Sequence, residues 1–243
     1  MSLKEKVKTE IDFLKKDNNK NFALSLIFSC IILFVYCYFG SFSFFEQTFN
    51  IQDIDYWKII YHNCMSFALF FILGIIFVKL VLKEKLSNFG LGFGKAKLGF
   101  IICAIAIPIC AICGVLSAFD STMASTYPLI DFATYGKWWQ IGLYFVSYLL
   151  YYIGWEFLFR GILYFSGEKK CGVVCSILIT TLISALIHTS IGGFGKPMIE
   201  TLSAIPAGLI FGFITYKTRS INYSLIIHLM VGVFTDIFVF LIA

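Results

Sequence analysis

The stretch Leu98-Gly-Phe-Ile-Ile-Cys-Ala-Ile-Ala-Ile-Pro-Ile-Cys-Ala-Ile-Cys-Gly-Val-Leu-Ser-Ala118 carries no charged side chain. About 20 apolar residues in a helix cover the ~30 Å hydrocarbon core of a bilayer. A backbone in lipid must also satisfy its own hydrogen bonds, which a helix does. Residues 98–118 are therefore expected to form a transmembrane helix, kinked at Pro108 but not ended by it. Working outward, comparable segments fall at approximately 22–45, 57–82, 138–165, 171–190, 198–217 and 221–242. The expected fold class is all-α: a polytopic transmembrane helical bundle of about seven spans, within a range of six to eight.

Composition leads to the same reading. The 243 residues are 59% hydrophobic and 14% charged, with a mean hydropathy of +0.87. A soluble domain is about 25% charged, and one of this length has too little interior to hide so much apolar surface. The excess, including 28 Phe residues, is expected to face lipid. No internal repeat or second domain is visible.

The net charge of +5 is explained by placement and gives no nucleic-acid signal. Residues 1–21 form a mixed-charge tail, too long and too acidic for the basic region of a cleavable signal peptide. Residues 22–243 form the transmembrane domain. Of the 19 Lys and Arg residues, fifteen fall in the tail, in 79–97, and in the turns at Lys169–Lys170 and Lys217–Arg219. The alternate connections hold only Lys58, Lys137 and Lys196. Basic residues favour the cytoplasmic side, so a cell-membrane, multi-pass protein with its N-terminus in the cytoplasm is expected. Trp57, Trp138 and Trp139 open two spans at the other interface. The eight cysteines lie in apolar stretches and read as small hydrophobes, with the Cys110–Cys113 pair lacking a partner pair for zinc. Residues 88–95, rich in glycine, lack a phosphate-loop pattern and read as a flexible cytoplasmic connector.

Ionisable residues inside spans cost about 2.5–3.5 kcal/mol each on insertion scales and mark functional sites. Five stand away from helix ends: Glu156, Arg160, His188, His228 and Asp236. Glu156 and Arg160, four apart, share a helix face, an arrangement that also fits a simple internal ion pair. His188 and His228, each alone, also fit hydrogen-bonded bundle residues. His62 reads as a solvated or capping side chain, and Asp236 as close enough to a helix end to be solvated. Together, a carboxylate, a guanidinium and two imidazoles from three spans are able to gather in one polar cavity. There they would supply a general base and oxyanion or metal ligands.

At these residues the chain resembles the CAAX protease and bacteriocin-processing (CPBP, or Abi) family of intramembrane proteases. The resemblance covers about 140–240. It rests on Trp155-Glu-Phe-Leu-Phe-Arg-Gly161, on Ser184-Ala-Leu-Ile-His188, and on the stretch from Gly208 to His228. The family patterns are EExxxR, FxxxH and HxxxN. The resemblance implies a membrane-embedded endopeptidase in which a glutamate activates water and histidines assist. It assigns Glu156, Arg160, His188 and His228 as catalytic residues. The first Glu is Trp155 here, the Phe is Ser184, and Gly232 stands where Asn is expected, with Asp236 one turn further on. Glu156 is rotated about 100° from the first position.

The leading expectation is a CPBP-type endopeptidase acting on a peptide or membrane-protein substrate in the lipid bilayer. The cofactor is left open between none and a divalent metal such as zinc. The alternative is a non-catalytic relative serving as a bacteriocin immunity or binding protein. A small proton-coupled transporter is a third reading, weakened by the lack of an inverted repeat. Counted at 1.5 Å per residue from the cytoplasmic ends, Glu156 and His228 lie at roughly 12–14 Å and His188 at about 25 Å, a mismatch that sequence leaves unresolved.

Overall fold

The protein is described by a computed structural model covering residues 3–14, 17–189 and 195–243. Lys15 and Lys16 of the tail and residue 190, at the end of the expected fifth span, lie outside the described residues. Among the described residues there is no strand. Helix α1 (Leu3–Leu14) occupies most of the tail, and α2 (Asp17–Phe39) already begins within it. A short α3 (Phe42–Thr48) follows, then α4 (Ile54–Val81), α5 (Ala96–Ser117) and a short α6 (Ser121–Thr126). The continuous stretch Trp138–His188 comes next, followed by α9 (Met198–Thr218) and α10 (Asn222–Ile242).

Six of these stretches are long and apolar enough to cross a membrane. Trp138–His188 is two helices, because Gly172 has non-helical angles of φ 82° and ψ 170°. Beyond it the chain doubles back. Ser176 Oγ donates to the carbonyl of Tyr164 at 2.7 Å, and Trp155 meets His188 edge-on at 5.7 Å between ring centres. Residues 138–171 are called α7 and residues 173–188 α8. With the hairpin split at Gly172, the described residues form seven apolar helices in place of six such stretches, and the chain is a multi-pass membrane protein. Pro108 lies inside an unbroken helix, as expected, and so does Pro206.

The bundle is built around α7. From Gly154 to Gly167 every residue is buried. Trp155, Leu158, Phe159 and Leu163 pack toward α2 and α4, while Phe157, Ile162 and Phe165 pack against Phe77, Phe89 and Ile221. With little hydrophobic drive between helices in lipid, close approach relies on small residues. Gly154 is such a point: a Cβ there would lie 2.5 Å from the Ser66 carbonyl on α4. Away from the centre, Val174, Leu178, Leu182 and Leu186 are exposed on α8, as are Ile105, Ile109, Ile112 and Leu116 on α5. Spacings of three and four residues place each set on one helix face. These are lipid-facing stripes.

One end of the bundle gathers the connections 82–95, 171–172 and 219–221. Glu84 meets Lys169 and Glu168 meets Arg219. The glycine-rich connector is tied down and not loose. Ile221 N–H donates to the Gly90 carbonyl, Lys95 N–H to Thr218 and Tyr223 OH to Phe93. The reason is that residues 218–223, between α9 and α10, offer donors and acceptors that the turn leaves over. The opposite end holds the connections after α2 and α5, and the candidate site lies toward it.

Candidate active site

Glu156 closes the first part of α7, where the helix widens into a π-helical stretch, Phe157–Leu163. Such π turns are rare and tend to occur at functional sites. Glu156 is completely buried. Its Oε1 lies 3.2 Å from Arg160 Nη1 and 2.8 Å from His228 Nδ1 on α10. Oε2 has no hydrogen-bond partner among the described residues, and neither do Arg160 Nε and Nη1. The Arg160 contact is thus an ion pair by distance and lacks an aligned hydrogen bond. The guanidinium also lies over the Phe211 ring at 5.4 Å.

A carboxylate flanked by a guanidinium acts as an acceptor, so the Glu156–His228 contact places the ring proton on Nδ1. The imidazole lies against the tilted rings of Tyr152 and Phe211, at 4.4 and 4.9 Å between ring centres. His228 Nε2 has no hydrogen-bond partner among the described residues, and the ring lines a cavity of about 280 Å³.

That cavity is where the pieces meet. His188 reaches it from the end of α8, with its Nδ1 donating to the Ser184 carbonyl at 2.6 Å. Helix α7 runs on to residue 171, about 9 Å past the expected end at 165, and this added length, more than the start of α8 at residue 173, brings His188 level with Trp155 on the adjoining helix. Trp155 lines the cavity and Glu156 does not. The 100° rotation between neighbouring helix positions therefore has a concrete outcome: the indole faces the cavity, and the carboxylate stands behind His228. Direct contact between Glu156 and cavity water, as the resemblance implies, does not fit this burial. Arg160 is likewise buried behind the site. Of the four sequence-predicted residues, the structure brings His188 and His228 to the cavity and Glu156 and Arg160 to its supporting wall.

Asp236 is also fully buried, against expectation. It accepts from Tyr144 OH at 2.6 Å, because α10 packs along α7 at that depth. His62 is not a solvated side chain. It joins α4 to α2 through Gly40 O at 2.7 Å and Tyr36 OH at 2.8 Å, and it borders the cavity.

Several cavity residues escaped the sequence reading. Tyr148, Tyr151 and Tyr152 descend α7 at helical spacing, a polar-tipped aromatic stripe that the sequence displays openly. At the mouth, Tyr127 donates to Glu200 Oε2 at 2.7 Å and accepts from Lys196 at 2.6 Å. Burial, together with the adjacent Glu200 carboxylate, pushes the Tyr127 phenol well above its ordinary range, so it remains a neutral donor. Among the described residues no group of three or more His, Cys, Asp or Glu side chains is placed to hold a metal ion.

Residues 137–234, from the first turn of α7 to the middle of α10, match the family model described as Type II CAAX prenyl endopeptidase Rce1-like. No curated protein and no solved structure matches the chain. The matched segment contains Trp155-Glu156, Arg160, His188 and His228, the residues that carry the resemblance to the CPBP family. Residues 137–234 of this membrane bundle are thus similar to the Rce1-like domain of type II CAAX prenyl endopeptidases, a match consistent with the resemblance to the CPBP family.

Proposed function

We propose that the protein is an intramembrane endopeptidase in which His228, oriented by Glu156, is the base that activates water. The observation that carries this reading is the 2.8 Å Glu156–His228 contact behind a ring that lines the cavity. A carboxylate that fixes the Nδ1–H tautomer leaves Nε2 as a proton acceptor, the arrangement used in carboxylate–histidine catalysis. Water held at Nε2 gives its proton to the ring as its oxygen adds to the scissile carbonyl carbon. When the C–N bond breaks, the same proton passes to the leaving amine. His188 faces the same space; with its proton on Nδ1, its Nε2 accepts from the substrate amide N–H and helps to hold the scissile bond. Arg160 balances the buried carboxylate. Glu156 and Arg160 are thus positioning residues, and His228 and His188 act on the substrate.

The substrate proposed is a peptide or membrane-protein segment entering from the bilayer, with a prenylated CAAX peptide as the probe suggested by the family model. The N-terminal tail, residues 1–21, is placed in the cytoplasm of a cell-membrane protein on the basic-residue asymmetry. The cavity, bordered by Ser41, Tyr127 and Lys196 from the opposite connections, then opens away from the cytoplasm. In proteoliposomes, wild-type protein should cleave an internally quenched farnesylated CAAX peptide. Glu156→Gln, His188→Ala and His228→Ala should abolish cleavage at normal protein levels. Full activity in these variants overturns the mechanism.

One observation favours a second reading, a non-catalytic immunity or binding protein. The Trp155 indole occupies cavity wall at the position where the family pattern has its first glutamate. In that case the wild-type protein leaves peptides intact, and partner binding or bacteriocin protection survives Glu156→Gln.

A further inference from the structure

One turn after His228, Gly232 lies buried against two hydroxyl groups from α7. A Cβ at this position would sit 2.5 Å from Tyr152 Oη and 2.6 Å from Tyr148 Oη. No side chain larger than hydrogen fits there while the hydroxyls stay in place. Both tyrosines line the cavity beside His188 and His228, and the Tyr152 ring lies against the His228 imidazole, tilted by 52° with ring centres 4.4 Å apart.

The bonding of the pair is directional. Tyr152 Oη donates to Tyr148 Oη at 3.3 Å. Tyr148 Oη already receives that hydrogen bond, and its own proton has no acceptor among the described residues. A buried hydroxyl proton without an acceptor is costly unless a ligand or water takes it. Here it belongs to a group that borders the cavity. A donor that itself accepts a hydrogen bond is also polarised by it.

We propose that the Tyr148–Tyr152 hydroxyl pair, seated against Gly232, donates to the oxyanion formed during peptide cleavage, with Tyr148 as the donor and Tyr152 reinforcing it. This inference rests on the reading of His228 as the base. As the water oxygen bonds to the carbonyl carbon, the C=O π electrons move onto oxygen and the water proton moves to His228 Nε2. The new negative charge accepts the Tyr148 hydrogen bond. On collapse the C=O bond re-forms, the C–N bond breaks, and the His228 proton leaves with the amine. The tyrosine keeps its proton throughout, so no co-reactant is needed. Gly232 makes this arrangement possible, because any larger residue evicts the donor.

Removing one oxyanion donor lowers kcat about 10²–10³-fold. In proteoliposomes with an internally quenched farnesylated CAAX peptide, Tyr148→Phe should lower kcat by about that factor and leave KM and the unfolding temperature unchanged. Tyr152→Phe should cause a smaller drop of the same kind. Gly232→Ala, which displaces both hydroxyls and keeps both tyrosines, should reproduce the Tyr148→Phe loss. Full kcat in Tyr148→Phe beside an inactive His228→Ala overturns this inference alone. A loss expressed in KM overturns it as well, because the hydroxyl would then bind substrate without favouring the transition state. Wild-type protein that leaves the probe intact, or His228→Ala that cleaves it normally, removes the base reading and this inference with it.

Discussion

Replacing Arg160 by methionine isolates the buried charge at the centre of the bundle. Methionine keeps an unbranched apolar stem and removes the guanidinium together with its contact over the Phe211 ring. Glu156 is then left with His228 alone, at a position with no access to solvent. At 3.2 Å and an effective dielectric of about 20, the attraction between the two charges is about 5 kcal/mol. Breaking a buried pair by removing one partner typically costs about 3–5 kcal/mol. The unaligned geometry at Nη1 and Nε puts the expected loss near the lower end, about 3 kcal/mol. The double variant Glu156→Gln/Arg160→Met leaves no uncompensated charge and should recover most of that loss. Reversible unfolding in mixed detergent micelles, followed by tryptophan fluorescence, measures all three proteins. A single variant within about 1 kcal/mol of wild type, the range of a surface ion pair, refutes the reasoning. So does a double variant no more stable than the single.

Two further outcomes follow from the helix connections. Gly172→Ala places a side chain at φ 82°, ψ 170° with open space around it. Backbone strain alone should then cost about 1–3 kcal/mol, read as a lower unfolding midpoint, and an unchanged midpoint contradicts the hairpin turn. Glu84 accepts from the Asn88 amide at 2.7 Å. That bond, with help from Lys169, holds its carboxyl below the ordinary value of 4.5. The folded state therefore favours the charged form. Its stabilisation is complete above about pH 4.5 and fades as the pH falls through the lowered folded value. Wild type should exceed Glu84→Gln in stability at pH 7, and the gap should close at acid pH. A gap independent of pH contradicts the assignment.

The fold was legible because lipid imposes a simple length and polarity rule, which residues 98–118 satisfy without exception. The hairpin at Gly172 was legible too, since Lys169 and Lys170 interrupt the apolar pattern just before it. The site was only half legible. Glu156, Arg160 and His228 stand out as ionisable residues in apolar helices, and they do meet. Which of them faces the cavity depends on the π-helical turn at Phe157–Leu163, which leaves no pattern in hydropathy. Tyr148 and Tyr152 were overlooked because aromatic residues at helical spacing are ordinary in a bundle core. Only the missing side chain at Gly232 shows why their hydroxyls matter. Asp236 was misplaced because distance from a helix end says little about burial when a neighbouring helix covers that end.

The proposed catalysis requires the His228 ring to be fixed by Glu156 with Nε2 left toward the cavity. Nitrogen-15 NMR of the histidine side chains in lipid, assigned with His228→Ala, reads this directly. A protonated Nδ1, an unprotonated Nε2, and a spectrum that changes in Glu156→Gln are predicted. A proton on Nε2, or a His228 signal indifferent to Glu156→Gln, contradicts the mechanism at its origin.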